Sequence, residues 1–554
     1  MNIDYSLCPI NLGYLKNRQS DIIKKILVDI PEEKIIVFDP NVTNIIDNII
    51  THVELKTYNV IEMYYTNSFT YYKGKCYIYF VLPTQESIAF MNNSHKFLAN
   101  GENNHIICFL RKRDIKIENS LHYDYIWDHV TIIESCIGMV PVEHNTISMC
   151  MQNSFSKLCI DRNVQMTKQI IECLEIMQRL YGRIPEINAF GDISLKIKLA
   201  VEKSNKINKY NNSCQINKLI LLDRSIDTIT PCLTQLTYEG VIDDVIGISN
   251  CKIKIENAFI PLNSGCPFYP DIRDKHISIS RTLLKTYGEC YNLKNLNAKQ
   301  YAEDSDSETQ KFILNVLKQN KLHIDYLSKH IKINNALTKN INSKFFQKTI
   351  EIENLIMTSY KSENLIQSFF DSDENSKSEI FNYIDKSISD NESIYQILAC
   401  LSLYFQIHGQ SINKQGYENL ISMLVDKYDY CYKIINYLEK LGMMTKKNII
   451  IDQTLENVIP KEYSFKKTIS KLNLIKDIDF KNTNHVDICG LYGGYAPISG
   501  KLIENAQDKN GVTLVCFVGG CNYSEISACR LNGNIIVLTT EIFNKKQFFD
   551  SLRK

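Results

Sequence analysis

The apolar residues change period twice along the chain, and this double change constrains the fold more than any single motif. The first third alternates strand and helix signals. Lys34–Phe38 is a short apolar run closed by Asp39-Pro40, Cys76–Leu82 closes on Pro83, and Ile106–Leu110 repeats the pattern. Runs of this length ended by a breaker read as buried strands, and the helical stretches between them imply a parallel sheet with helical crossovers. Ile170, Leu174, Met177 and Tyr181 then share one helical face. Gly182 offers that helix a left-handed cap, and Pro185 blocks its resumption. Lys218–Leu222 is another strand, with Asp223 at its carboxyl end.

From about 275 to 480 the period is helical almost throughout. Ile324, Leu327 and Ile331 make one stripe, and Phe312 with Val316 and Ile313 with Leu317 make a second. Ile394, Leu398, Leu401 and Phe405 make a third, stopped by Gly409. Residues 303–309 are acidic without an apolar anchor and read as the exposed loop of a helical hairpin; residues 371–377 read as a second linker. After 483 strand signals return at Val486–Cys489, Thr513–Val518 and Asn534–Leu538. The helical block therefore reads as an insertion in an α/β unit whose strands come from both sides of it.

Charge and composition remove several function classes. Lys+Arg 63 against Asp+Glu 62 leaves a net charge of +1, without the basic excess of a protein built to hold long nucleic acid. The start lacks a basic flank followed by an apolar run, and the longest apolar runs fall far short of the ~20 residues of a membrane helix. With no lipidation motif either, membrane association is expected to be indirect. The 18 cysteines contain no CxxC pair, so reduced thiols and no zinc site are expected.

No catalytic constellation appears. Gly494 to Leu502 has five residues between Gly494 and Gly500, a leucine after Lys501 where a metal-binding hydroxyl belongs, and Pro497 within the would-be cradle. It reads as a glycine turn opening a helix with Leu502 and Ile503. Gly519-Gly520 ends a strand, and Asn522 with Glu525 has capping-box spacing. There is no GxSxG elbow and no HExxH, and the 11 histidines have no spacing to a nucleophile. No cofactor, metal or catalytic residue is assigned, and an enzyme is not expected.

The most informative segment runs from Leu221 to Ile248. A strand delivers Asp223, Arg224 and Asp227 to its carboxyl end, and Thr230-Pro231 bends the chain into a helix expected near Leu233. The carboxylates and Arg224 suit charge-assisted pinning of that bend. Without a base, a metal partner or a phosphate loop, a structural role is preferred to a catalytic one.

This segment resembles the hallmark of the Sec/Munc (SM) family, the soluble regulators of SNARE-driven membrane fusion. Thr-Gln-Leu-Thr-Tyr-Glu-Gly at 234–240 is similar to the form in the vacuolar protein sorting branch, the SM subunit of the HOPS and CORVET tethering complexes. Further similarity lies at 138–149, 180–185, 436–442, 492–499 and 517–530. The first domain departs most, with Leu82 and Thr84 where basic residues are expected.

The resemblance implies a three-domain arch of two parallel-sheet α/β domains and a mainly α-helical third. Residues 1–137 form the first domain, 138–253 with 483–554 a discontinuous second, and 254–482 the helical third, in halves 254–355 and 356–482. It implies Asp223, Arg224, Asp227, Thr230, Pro231, Gln235, Thr237, Tyr238 and Glu239 as structural motif residues. SNARE binding is expected on the hairpin, with Phe312, Val316, Leu317, Ile324, Leu327 and Ile331 as candidates. A helical-solenoid tether subunit is expected at the later helices, with Tyr428, Tyr430 and Ile434 as anchors. The implied location is cytoplasmic, peripheral to endosomal, vacuolar or lysosome-related membranes.

Overall fold

The computed structural model describes residues 3–553 apart from 66–71, 73–74, 94–103, 114–129, 209, 211–213, 304–306, 359–378, 409–413, 429, 445–464 and 477–487. Helix α1 (Leu12–Val28) precedes strand β1 (Lys34–Phe38), whose five residues are all buried. The Asp39-Pro40 pair that closes β1 also opens α2 (Pro40–Ile49). Asp39 accepts a hydrogen bond from the Asn41 backbone N–H, and Pro40 stands in the first turn, where a missing N–H costs nothing. Strands β2 (Val60–Tyr64), β3 (Cys76–Val81), β4 (Asn104–Phe109) and β5 (Val130–Glu134) complete a sheet of order β2-β1-β3-β4-β5, parallel throughout.

A second sheet has the order β6-β7-β13-β12-β9-β8. It takes β6 (Val140–Glu143), β7 (Thr146–Ser148), β8 (Glu186–Phe190) and β9 (Lys218–Asp223) from before the helical block. Its β12 (Thr513–Val518) and β13 (Ile535–Thr539) come from after it. Only β6 and β7 pair antiparallel; β12 lies between β9 and β13, with Val518 opposite Asp223. The strands read as unbroken apolar runs because helices cover both faces of such a sheet. On one side lie α3 (Val164–Tyr181) and α4 (Asp192–Ile207). Between the sheet halves the chain makes α5 (Tyr238–Val245) and a small antiparallel pair, β10 (Lys252–Ile255) and β11 (Ala258–Pro261).

The helical block holds a long hairpin, α6 (Ile277–Glu303) and α7 (Ser307–Ile341), packed along one another. Then come α8 (Lys344–Thr358), α9 (Glu379–Ser389), α10 (Ile394–His408), α11 (Lys414–Lys427), α12 (Cys431–Lys440) and α13 (Phe465–Leu472). Helix α10 carries Ile394, Leu398, Leu401 and Phe405 into a core shared with Phe155, Ile220 and Leu222 of the second sheet's unit. The chain closes with α14 (Ile498–Ala506), α15 (Tyr523–Leu531) and α16 (Lys545–Asp550).

Two local expectations are corrected. Ile488–Tyr492 forms a 3-10 helix, not the end of a strand; Val486 and Asp487 lie outside the described residues. The helix expected near Leu233 starts at Tyr238. A 3-10 turn occupies Thr230–Cys232, and the segment after it is held extended. The Leu236 N–H donates to the Leu491 carbonyl, and the Ile277 N–H to that of Leu236. Of the acidic loop at 303–309, residues 304–306 lie outside the described residues, as does the linker at 371–377.

Candidate functional site

The Leu221–Ile248 motif ties together elements far apart in sequence. Asp223 accepts from the backbone N–H groups of Ile193 (2.9 Å) and Ser194 (2.8 Å), at the start of α4. Burial pushes its carboxyl up to about 7, although these donors and the Ser194 hydroxyl pull it back. Gly191, at φ +104°, makes room: a Cβ there would lie 2.3 Å from Asp223 Oδ2. Arg224 is buried and pairs with Glu525 of α15 (2.6 Å), while its other amino group donates to the Asp227 carbonyl. Burial opposes this charge, but Glu525 and Asp227 outweigh it and hold the guanidinium above its ordinary pKa. Asp227 accepts from the Thr230 N–H (3.0 Å) and hydroxyl (2.6 Å) and from the Ser499 N–H (3.2 Å) of α14. Pro231 is buried inside the 3-10 turn.

The second half of the motif continues the stitching. Thr237 caps α5 by accepting from the Gly240 N–H. Gln235 binds Asp244 Oδ1 (3.1 Å) and accepts from the Ser524 N–H (3.0 Å). Glu239 accepts from the Tyr269 hydroxyl and pairs with Arg530 (2.7 Å), which also meets Asp274 (2.8 Å). Tyr238 reaches into the helical block, its hydroxyl 3.0 Å from His330 Nδ1 on α7. Every motif residue is engaged within the fold, and none is left facing a cleft as a free acid, base or nucleophile. The glycine turns are equally structural: Lys501 pairs with Glu504 (2.8 Å), Leu502 and Ile503 are buried, and Asn522 with Glu525 closes a capping box. Among the described residues no group of three potential metal ligands occurs.

The hairpin divides the six candidate SNARE-binding residues. Leu327 is 4 % exposed and packs in a core with Leu284, Ile333, Leu337 and Tyr238, whereas Ile331 is 43 % exposed. Ile324 is half-buried. The side chains of Phe312, Val316 and Leu317 lie outside the described residues, although their backbone belongs to α7. The buried seam follows Leu327, His330, Ile333 and Leu337, so Leu327 holds the hairpin together rather than facing a partner. Sequence reading missed Leu322, which is exposed on α7, and His330, which is buried between Tyr238 and Cys266 and stacked on Tyr269.

The later helices show the same division. Ile434 is fully buried in the core. Tyr428 is half-buried and donates to the Glu392 carbonyl, and Tyr430 lies under the Arg553 guanidinium at 4.3 Å. Ile434 is thus closed to a partner in this arrangement. The apolar residues presented outward are Tyr432 (61 % exposed) on α12 and Met423 on α11. Their signal was available: Tyr432 stands off the face that Ile434, Ile435 and Leu438 bury.

Two sheet-bearing units, a helical insertion and a buried motif that ties them together make up the described fold. The Sec1 family profile matches residues 34–513 and 505–551, and the chain belongs to that family. Among curated relatives, a vacuolar protein-sorting-associated protein 33 homolog of Arabidopsis thaliana is 23 % identical over 97 % of this chain and 96 % of its own length. Vacuolar protein sorting-associated protein 33 of Schizosaccharomyces pombe is 21 % identical over 90 % of each. Among solved structures, the SM protein Vps45 in complex with the Qa SNARE Tlg2 superposes with TM-score 0.61 at 14 % identity, covering 97 % of both chains. The Unc18–syntaxin 1 complex of Monosiga brevicollis gives 0.61 at 15 % identity, covering 97 % of this chain and 99 % of that one. The fold is therefore the SM fold, and the relatives lie in the vacuolar protein sorting branch.

Proposed function

We propose that this protein is a non-catalytic regulator of SNARE-mediated fusion, acting as the SM subunit of a HOPS/CORVET-type tethering complex in endosomal and vacuolar transport. The carrying observation is the match to vacuolar sorting relatives along 97 % of the chain. The architecture supports it. Residues 1–137, 138–253 with 483–554, and 254–482 act as three domains, and the hairpin α6–α7 presents Ile331 and Leu322 beside a closed seam. An amphipathic SNARE helix docking on such a face would be read through apolar anchors spaced along one helix. No described helix is long and apolar enough to cross a membrane, and the membrane is reached through partners at its cytoplasmic side. The solenoid subunit of the tether docks on the face carrying Tyr432 and Met423, where a large aromatic is a strong anchor.

Pull-down of the full chain with SNARE motifs tests the reading. Binding by the parent, lost on Leu322→Asp with Ile331→Asp while thermal stability is kept, is the expected result. Absence of binding to any SNARE motif would remove it. Purified protein is expected to release no phosphate from ATP above background, and Lys501→Ala is expected to change nothing.

A further inference from the structure

A cleft of about 430 Å³ lies between α1, the carboxyl edge of the first sheet and α3. Its volume is in the range of small-ligand sites, and the carboxyl ends of parallel strands are where such sheets place ligands. The motif residues take no part in it. Its walls carry charges of both signs, and their pairing is uneven. Glu134 accepts from the Arg113 N–H at 2.8 Å, Glu175 meets Arg179 at 3.6 Å, and Glu172 meets Lys112 at 3.7 Å.

Arg111 has no such partner. It is 5 % exposed and lines the cleft just beyond β4. Its one hydrogen bond runs from Nη2 to the Met149 carbonyl, its Nε has no acceptor, and no carboxylate lies within ion-pair distance among the described residues. Burial lowers its pKa, with no neighbouring carboxylate to offset the loss of water. A buried, unpaired guanidinium is costly unless something pairs with it. Gln19 of α1 lines the same cleft, 4 % exposed. Its Nε2 donates to the Met139 carbonyl, and its Oε1 has no donor.

We propose that this cleft binds a small ligand bearing one oxyanion, a phosphate monoester or a carboxylate, seated against Arg111, with a hydroxyl or amide donor reaching Gln19. The wall sets four cations, Arg18, Arg111, Lys112 and Arg179, against three carboxylates, Glu134, Glu172 and Glu175, a surplus that one oxyanion balances and a polyphosphate exceeds. Arginine suits the role, since its planar fork matches both oxyanions. The occupant would touch α1 and the β4 end on one side and α3 on the other, so it links the two sheet-bearing units.

Thermal unfolding and titration calorimetry of the full chain test this with glucose 6-phosphate, lactate and inorganic phosphate, with glucose as the neutral control. At saturating millimolar probe, one anion should raise Tm by a few degrees and glucose should not. Glucose 6-phosphate against lactate separates the phosphate source from the carboxylate source. Arg111→Met should unfold at or above the parent's Tm without probe and lose about ten- to a hundred-fold in affinity. If Arg111→Met does not fold, Arg111→Lys, which keeps the charge and loses the fork, carries the same test. No shift with any anion overturns the proposal, as does an equal shift in the Arg111 variant. A parent-like response in Gln19→Leu to both hydroxyl-bearing probes overturns the Gln19 contact.

Discussion

Arg224 joins the end of β9 to α15, a separation of 301 residues, through a single buried ion pair. Replacing it with methionine leaves Glu525 and Asp227 buried without their cation. Breaking one side of such a pair costs about 3–5 kcal/mol, so Arg224→Met should lower the unfolding midpoint in denaturant markedly. A midpoint within experimental error of the parent would show that the pair contributes nothing. His330 makes a second prediction at this scale. Burial lowers its pKa from 6.5 to about 4, and its surroundings are Tyr238, Tyr269 and Cys266, with no carboxylate in contact among the described residues. The unfolded chain takes up a proton near 6.5 while the folded one resists until about 4. Stability from this site is thus full above 6.5 and falls as pH drops through that window, by a total on the order of 3 kcal/mol. The difference between parent and His330→Gln, followed by chemical unfolding from pH 7 to 4, isolates the effect. A parallel pH dependence in both would remove His330 as its source.

At the scale of elements, the hairpin separates two roles that lie side by side on α7. Leu327→Asp should destabilise the hairpin by several kcal/mol, because it places a carboxylate in an apolar seam. Ile331→Asp should leave stability within about 0.5 kcal/mol, as surface changes usually do, and weaken SNARE binding. Circular dichroism melts beside a pull-down read both, and equal effects on folding would refute the division. The sequence stripe Ile324–Leu327–Ile331 follows the apolar residues alone, whereas the seam runs through a histidine. His330 looks like a surface residue until Tyr238 and Cys266, 92 and 64 positions away, supply its partners. Local periodicity cannot contain that information. The expectation of an anchor at Ile434 differs from the structure for a related reason. An aliphatic residue on an amphipathic helix marks the buried face, and the residue left exposed on the other side is the aromatic that breaks the pattern, here Tyr432. Strands were easier, because β1, β3, β9, β12 and β13 are apolar on both faces and bounded by turn residues. The segment at Ile488 shares that composition yet takes a 3-10 turn. Neighbours decide it: the Leu491 carbonyl accepts from Leu236, and Gly494 turns back to donate to the Cys489 carbonyl.

The whole molecule depends on the second sheet being assembled from two stretches of chain. Strands β12 and β13 sit in its middle, between β7 on one side and β9 on the other. The contacts of the motif follow the same line. Asp227 is bound by Ser499, Arg224 by Glu525, Gln235 by Ser524 and Glu239 by Arg530, each linking the chain before the helical block to the chain after it. The last helices also reach into that block, with Lys545 pairing to Glu353 of α8 (3.2 Å) and Tyr395 of α10 donating to Asp550. A chain stopped after Gln507 therefore lacks more than an edge. It loses both central strands, exposes the sides of β7 and β9, and takes Glu525 from Arg224 and Arg530 from Glu239. Unpaired strand edges and stranded charges both favour aggregation over folding. Such a truncation should lose cooperative thermal unfolding and accumulate in the insoluble fraction, while a chain stopped after Leu552 should melt like the parent. A soluble, cooperatively unfolding 1–507 fragment would mean that the early segment folds alone, and that the late strands add to a finished sheet instead of completing it.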